Sequence, residues 1–332
     1  MILNLRKKAH AIPVFTALLP LLILTLGLVL AACGGREESS TPQTAQRGIP
    51  RLSVSATAYP LEYLATRIGG DRVAVTTVVP AGAEPHDWEP SARNIEAIQK
   101  ARLFLYIGAD FEPWAERVRE GFPANGPMAV NTAGGLAYLA EPEDEHGAEA
   151  EEADHEGELD PHVWLNPQLY ARMAQSVATA LSRLDPDGTA TYEGNLLGLV
   201  LDLDTLDMKF TAGLASCARK QFVASHAGYG YLAERYGLEQ VAITGLSPES
   251  EPSPARLREV VNEIRRLSAT HVFAETLVNS AVAKTLAREV GATVLVLDPL
   301  EGLTPEGRAS GQDYLSVMTQ NLANLRTALG CQ

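Results

Sequence analysis

Short apolar runs alternate with helical patterns along most of this chain, and the alternation limits its fold more than any other feature. The first half contains the apolar runs RLSVSATA, RVAVTTVV, RLFLYIG and MAVNT, and between them lie the helical patterns PLEYLATRIGG, NIEAIQKA and FEPWAERVREGF. Runs rich in β-branched and aromatic residues are typical of strands, and strands that alternate with helices usually pair in parallel. The pattern therefore predicts an α/β fold with mainly parallel sheets.

The same alternation returns in the second half, where QFVAS, QVAITG, HVFAET and TVLVLDP are the predicted strands. Between the halves, the sequence from Pro167 to about Ser216 is almost all compatible with helix. We predict an N-terminal α/β lobe at residues 51–187, a long rigid linking helix at 188–216 and a C-terminal α/β lobe at 217–332. Ligands of such sheets bind at the carboxyl ends of strands, so we expect a site in the cleft between the lobes.

The N-terminus has the pattern of an export signal. Three basic residues precede an apolar run from Ala11 to Ala32, and the run ends in L-A-A-C, which resembles the lipobox of bacterial lipoproteins. We predict a signal peptide at 1–32, a lipid on Cys33 that anchors the protein to the cell membrane on its extracytoplasmic side, and a flexible polar tether at 33–50. The alternative is an uncleaved membrane helix, because the run approaches the length of a span.

Acidic residues dominate the charge of the chain. The formal net charge is −14, and the predicted signal peptide carries three basic residues and no acidic one, so nucleic acid is excluded as a partner. Residues 141–160 contain eleven acidic residues among twenty and no basic one, which predicts a mobile solvated loop. A second interpretation is a loop that gathers cations weakly, since His146 and His155 lie within it.

Two cysteines remain besides Cys33, namely Cys217 and Cys331. In an oxidising compartment an even pair favours one disulfide bond, and the alternative is two buried free thiols. No C-x-x-C motif accompanies either residue, which argues against a metal role for them.

Four side chains that can bind metal follow predicted strands or lie between the lobes. His86 follows RVAVTTVV, His162 lies in DPHVWLNP, His226 directly ends QFVAS, and Asp298 ends TVLVLDP. A lone histidine at a strand end is more often structural, but this set places two candidate ligands in each lobe. A divalent ion bound by His86, His162, His226 and Asp298 would hold the lobes together.

These residues lie in motifs that carry a family resemblance. GAEPHDWEP, DPHVWLNP, SHAGYGYLAERYGL, SPESEPSP and VLDPLEG together resemble the metal-binding solute receptors of bacterial ABC importers, in the zinc and manganese branch. The resemblance covers about Leu52 to Cys331. It implies two α/β lobes joined by a rigid helix, a metal held by the four candidate ligands, a disulfide like the one in some relatives, and an ABC importer permease as partner.

The choice of metal depends on the ligand types. Three imidazoles and one carboxylate suit tetrahedral Zn2+, whereas Mn2+ favours a shell richer in oxygen, and manganese relatives commonly have Glu where this chain has His226. The sequence therefore favours zinc as the transported ion, with manganese as the alternative. Glu84 and Glu275 are candidates for a supplementary ligand or for a hydrogen-bond partner of a ligand. We expect a monomer.

Three other functions compete with a receptor. A secreted zinc hydrolase would use an open zinc position, but the sequence has neither H-E-x-x-H nor G-x-S-x-G, so we do not expect an enzyme. A dinucleotide site at Gly228-x-Gly230-x-x-Ala233 is a weak alternative, because His226 and Ala227 crowd that turn. An additional adhesin role is open.

Overall fold

The computed structural model describes residues 51–140 and 159–332, which lie in one compact unit. In the first half, four strands form one parallel sheet in the order β2-β1-β3-β4. The strands are β1 Leu52–Ala56, β2 Val73–Thr77, β3 Leu103–Tyr106 and β4 Met128–Asn131, and the connecting helices are α1 Tyr59–Gly69, α2 Ala92–Lys100 and α3 Pro113–Glu120. All seven predicted elements of this half are present.

The second half contains two parallel strand pairs. Strands β5 Gln221–Ala224 and β6 Glu239–Ala242 form one pair, and β7 His271–Ala274 and β8 Thr293–Val296 form the other. Strands β5 and β7 are in contact. The helices are α6 Gly230–Tyr236, α7 Pro254–Leu267, α8 Ala281–Val290, the short α9 Pro305–Ala309 and α10 Tyr314–Leu329. The predicted α/β class with mainly parallel sheets is confirmed.

Two helices lie between the halves. Helix α4 Pro167–Leu184 begins where the Asn166 side chain accepts hydrogen bonds from the first backbone N–H groups. Helix α5 Thr189–Leu214 matches the predicted linking helix, and it buries a stripe that includes Leu199, Leu203 and Phe210. The largest hydrophobic core takes residues from both halves and from α5, so the halves share one core. The lobe boundaries stay predictions.

Several sequence predictions fall outside the described residues: the signal peptide at 1–32, the tether at 33–50, the lipid on Cys33, and residues 141–158 of the acidic segment. The last two residues of that segment are described. Leu159 is exposed, but Asp160 is 3% exposed. The prediction of a mobile solvated loop is therefore wrong for Asp160, because hydrogen bonds to His162 compensate its burial.

Among the helices of the described ranges, none combines the length and the apolar character that crossing a bilayer requires.

The predicted disulfide bond joins Cys217 and Cys331. The two residues are 114 positions apart in the sequence, and the bond ties the chain after α5 to the end of α10. A cross-link that closes so long a loop restricts the unfolded chain strongly. The alternative of two free thiols is excluded in this structure.

We expect the double substitution Cys217→Ser/Cys331→Ser to lower the free energy of unfolding by about 2–5 kcal/mol, because the unfolded chain regains the entropy that the cross-link removes. Denaturant unfolding of the variant beside the oxidised wild type measures this loss. Zinc binding should be unchanged in the folded variant, since the bond lies before β5 and His226 follows its other end. Equal stability of the two proteins would contradict the expectation.

Candidate metal centre

Three histidines and one glutamate form a tight group at the carboxyl ends of strands. One ligand atom from each of His86, His162, His226 and Glu301 lies within 4.8 Å of the others. The side chains of His162 and His226 are fully buried, that of Glu301 is 1% exposed and that of His86 is 10% exposed. The group is therefore almost entirely removed from solvent.

Five of the six distances between the donor atoms are close to those of a tetrahedron. The Nε2 atom of His162 lies 3.2 Å from Nε2 of His86 and 3.3 Å from Nε2 of His226. Oε1 of Glu301 lies 3.1, 3.3 and 3.5 Å from Nε2 of His162, His226 and His86 respectively. Zinc bonds of about 2.0–2.1 Å in tetrahedral geometry place the donor atoms about 3.3 Å apart. Five of the six donor distances thus match a bound zinc ion, and the sixth, between His86 and His226, lies within the 4.8 Å that spans the group.

His86 lies in the loop after β2 that contains the motif GAEPHDWEP. The Glu84 carboxylate accepts hydrogen bonds from the backbone N–H groups of His86 and Asp87, at 2.9 and 3.2 Å. Burial, followed by the nearby Glu301 carboxylate, raises the pKa of Glu84 to about 7. Glu84 therefore fixes the backbone that carries His86, and it is not one of the four clustered side chains. Its role as a supplementary ligand stays a prediction.

His162 precedes a short 3₁₀ turn and the start of α4. Asp160 Oδ1 accepts a hydrogen bond from the backbone N–H of His162 at 2.9 Å and lies 2.8 Å from its Nδ1. The hydroxyl of Tyr231 donates to the backbone carbonyl of Asp160. A carboxylate at Nδ1 leaves Nε2 as the nitrogen available to a metal and fixes the orientation of the ring. Asp160 had no such role among the sequence predictions, although its position two residues before His162 in D-P-H is a signal for it.

His226 lies two residues after the end of β5, and Glu275 directly follows β7. The two strands are neighbours, and Glu275 Oε1 lies 2.7 Å from Nδ1 of His226. This contact is the one that the sequence suggested for Glu275. A Cβ atom added at Gly228 would lie 2.2 Å from Nε2 of His226 and 3.1 Å from Nε2 of His162. Glycine at 228 therefore leaves the space in front of the donor atoms open.

The carboxylate of the cluster comes from Glu301 and not from Asp298. Asp298 was the predicted fourth ligand, but the structure places its carboxylate outside the group. Asp298 Oδ1 accepts from the backbone N–H of Leu300, and Oδ2 accepts from the hydroxyl of Thr276, both at 2.8 Å. Both oxygens thus already have partners within the protein, and burial raises the pKa of Asp298 to about 6. The sequence does contain a feature that could have identified Glu301 as a ligand. Like His86, Glu301 lies in a loop that contains proline and follows a strand.

Two aromatic rings, those of Phe111 and Trp164, pack against the histidines of the cluster. The Phe111 ring lies edge-on to the ring of His86, with centroids 4.8 Å apart, and 5.1 Å from the ring of Trp164. The Trp164 ring lies 5.2 Å from that of His162, and its Nε1 donates to the backbone carbonyl of Pro299. These apolar walls lower the local dielectric and strengthen every charge interaction in the group. Phe111 had no sequence prediction.

The histidines differ in their affinity for protons. Burial alone lowers the pKa of His226, but the Glu275 carboxylate and then Glu301 more than offset this and raise it to about 10. Burial likewise lowers the pKa of His162, yet hydrogen bonds to Asp160 and Glu301 raise it above the ordinary value. The imidazole of His226 is therefore protonated near neutral pH when no metal is bound, and that of His162 holds its proton more strongly than a free imidazole does.

His86 and Glu301 shift in the other direction. For His86, burial outweighs the attraction of Glu301, and the pKa falls below the ordinary value. Burial tends to raise the pKa of Glu301, but hydrogen bonds from His162, His226 and His86 hold it well below its usual range. Glu301 is consequently a carboxylate at neutral pH, and His86 is a neutral imidazole ready to bind metal.

We expect zinc binding at pH 7 to release at least one proton per ion. Zinc needs a neutral imidazole, and His226 has a pKa of about 10, so the ion must displace its proton. Because the shift is upward, zinc affinity should rise with pH below about 10 and fall as the solution is acidified. Titration calorimetry in buffers of different ionisation enthalpy measures the proton count.

The variant Glu275→Gln provides the matched comparison for this proton release. The amide oxygen can still accept from Nδ1 of His226, but the charge that raises the pKa of that ring is gone. The variant should release fewer protons per zinc at the same pH. A proton count of zero in the wild type, or an unchanged count in the variant, would contradict the assignment.

A mainly parallel α/β fold with a buried group of three imidazoles and one carboxylate defines a candidate metal-binding protein. The family described as "ZnuA: Zinc-uptake complex component A periplasmic" matches residues 54–328. The chain belongs to this ZnuA family.

Curated relatives and solved structures agree with this assignment. The chain is 35% identical over 303 residues to the "High-affinity zinc uptake system protein ZnuA" of Bacillus subtilis, covering 91% of this chain and 94% of that protein. It is 34% identical over 307 residues to the "Zinc-binding lipoprotein AdcA" of Streptococcus pneumoniae, covering 92% of this chain but only 60% of the relative. The crystal structure of the Zn(II)-bound ZnuA-like domain of that streptococcal AdcA matches with a TM-score of 0.72 and 34% identity, covering 84% of this chain and 99% of the domain.

Proposed function

We propose that this chain is the zinc-binding receptor of an ABC import system, and that it holds one Zn2+ with His86, His162, His226 and Glu301. The observation that carries the proposal is the buried group of three imidazole nitrogens and one carboxylate oxygen, in which five of the six donor–donor distances are 3.1–3.5 Å. Zinc is the transported substrate of this site, and the receptor releases it to the membrane permease.

The donor types favour zinc over manganese. Imidazole suits zinc, whereas manganese prefers carboxylates, carbonyls and water in a shell of higher coordination number. Three of the four clustered donors are imidazole nitrogens, and the related proteins of Bacillus subtilis and Streptococcus pneumoniae are named for zinc uptake and zinc binding. Manganese remains the competing ion in the test.

A receptor fits this site better than an enzyme. A catalytic zinc keeps one coordination position open for water or substrate. Here four protein donors surround one point, and three of the four side chains are almost wholly buried. Such a closed shell protects an ion in transit and leaves no position for a reacting group.

Export, anchoring and delivery complete the proposal. The L-A-A-C motif supports a lipid on Cys33, and residues 33–50 would tether the folded part to the outer face of the membrane. From there the zinc-loaded receptor would dock as a monomer on a membrane permease. Release requires the four donors to separate, because a tetrahedral shell of this kind holds zinc tightly.

Competition between the two metals tests the proposal. The soluble form from Gly48 onward is stripped of metal, reloaded with equimolar Zn2+ and Mn2+, and analysed by mass spectrometry under native conditions. We expect one tightly held zinc ion per chain. Mostly manganese would assign the chain to manganese transport, and no retained metal would overturn the receptor function.

A further inference from the structure

Leu300 has a backbone conformation that is unusual for its residue type. Its φ angle is +59°, in the left-handed region that glycine adopts easily and a branched side chain adopts at a cost. The residue is fully buried, and its side chain belongs to the largest hydrophobic core. Leu300 also directly precedes Glu301, so its conformation decides the direction in which the Glu301 side chain leaves the backbone.

The carboxylate of Asp298 holds this conformation. Its Oδ1 atom accepts a hydrogen bond from the backbone N–H of Leu300 at 2.8 Å, which closes a turn around Pro299. Aspartate side chains favour such local turns because they bond the backbone two residues ahead. Strained backbone persists only where the surrounding structure fixes it, and this hydrogen bond is a direct means of doing so.

Asp298 is itself held on three sides. The hydroxyl of Thr276, which follows β7, donates to Oδ2 at 2.8 Å. The buried side chain of Asn321 on α10 accepts from the backbone N–H of Asp298 at 2.9 Å and donates to its backbone carbonyl at 2.7 Å. The next carbonyl, that of Pro299, accepts from Trp164 at 2.7 Å. The turn is thus fixed to β7, to α10 and to the aromatic wall of the metal centre.

We propose that Asp298 is a positioning residue: it does not bind zinc itself but holds Leu300 in the left-handed conformation that aims Glu301 at the three histidines. This inference rests on the proposed zinc-binding function and adds a residue through which the site is formed. Direct ligation by Asp298, which the sequence suggested, is the competing interpretation. The two differ in what they require of the side chain, because positioning needs an acceptor oxygen and ligation needs a charged carboxylate.

Two substitutions at Asp298 separate these interpretations. Asp298→Asn keeps an acceptor oxygen for the N–H of Leu300, and its amide can donate to the hydroxyl of Thr276. Asp298→Ala removes the acceptor. We expect zinc affinity within about threefold of the wild type for Asp298→Asn, and a loss of about 10- to 100-fold for Asp298→Ala, as for other residues that orient a ligand. Equal large losses in both variants would overturn the inference.

A double-mutant cycle with Glu301 gives a readout that a general loss of stability would not produce. If Asp298 acts only through Glu301, Asp298→Ala should lower the zinc affinity of the wild type but leave that of the Glu301→Ala variant unchanged within about threefold. Additive losses would assign Asp298 a contact of its own with the ion and overturn the inference. Thr276→Val removes one hydrogen-bond donor to Asp298. This variant should also lower zinc affinity, but by less than Asp298→Ala does.

Controls separate this inference from stability and from the proposed function. Asp185 forms an ion pair with Arg72 outside the metal centre, so Asp185→Ala should lower unfolding stability without changing zinc affinity. Wild-type protein that retains no zinc would overturn the proposed function, and the inference with it. Wild-type protein that binds zinc while Asp298→Asn does not would overturn the inference alone.

Discussion

Alanine in place of His226 is expected to lower the zinc affinity of this protein by more than about 100-fold. Even the loss of a residue that only orients a metal ligand lowers metal affinity by about 10- to 100-fold. The substitution removes a donor nitrogen that lies 3.3 Å from both Nε2 of His162 and Oε1 of Glu301. It also leaves the buried carboxylate of Glu275 without the ring that compensates its charge. Titration of metal-free protein with zinc against a competing chelator measures the loss.

His271→Ala is the matched control for this experiment. His271 begins β7, whereas Glu275 follows the other end of that strand, so the two lie about 13 Å apart at about 3.3 Å per residue. Removal of this imidazole should leave zinc affinity at the wild-type value. Comparable losses in the two variants would mean that His226 acts through stability, and unchanged binding by His226→Ala would exclude it from the ligand set.

A single methyl group at position 228 should have an effect of similar size. The Cβ atom of Gly228→Ala would lie 2.2 Å from Nε2 of His226, far closer than non-bonded atoms approach, and about as close as a bound zinc ion. The ring must then move, and the space for the ion is filled. We expect a loss of zinc affinity of more than about 100-fold, with a loss of stability of about 1–3 kcal/mol from overpacking.

Gly198→Ala on α5 is the control for this substitution. A Cβ at Gly198 meets no atom within 4 Å, and alanine stabilises a helix interior by about 1 kcal/mol relative to glycine. This variant should bind zinc like the wild type and unfold at slightly higher denaturant concentration. Normal zinc binding by Gly228→Ala would show that the histidines can rearrange around the added methyl group, and would contradict a preformed site.

The local elements of this fold were predictable because their signals are local. The strands and most of the helices are recognisable in runs such as RVAVTTVV and PARLREVVNEIRRLS, where side-chain periodicity and turn residues act over a few positions. The three histidines were also identifiable, because each follows a predicted strand or precedes a helix, and strand ends meet at one edge of a parallel sheet. The cysteine pair followed from its even number and the predicted export.

The sequence by itself therefore determined the α/β class, the linking helix, the disulfide pair and the three imidazoles of the candidate site. Only the tertiary structure decided which carboxylate joins them. Asp298 and Glu301 are three residues apart in one loop, and the left-handed turn at Leu300 directs one inward and leaves the other bonded to Thr276 and the backbone. Pairings such as Glu275 with His226 depend on which strands become neighbours, and that is set by the packing of the whole core rather than by any local pattern.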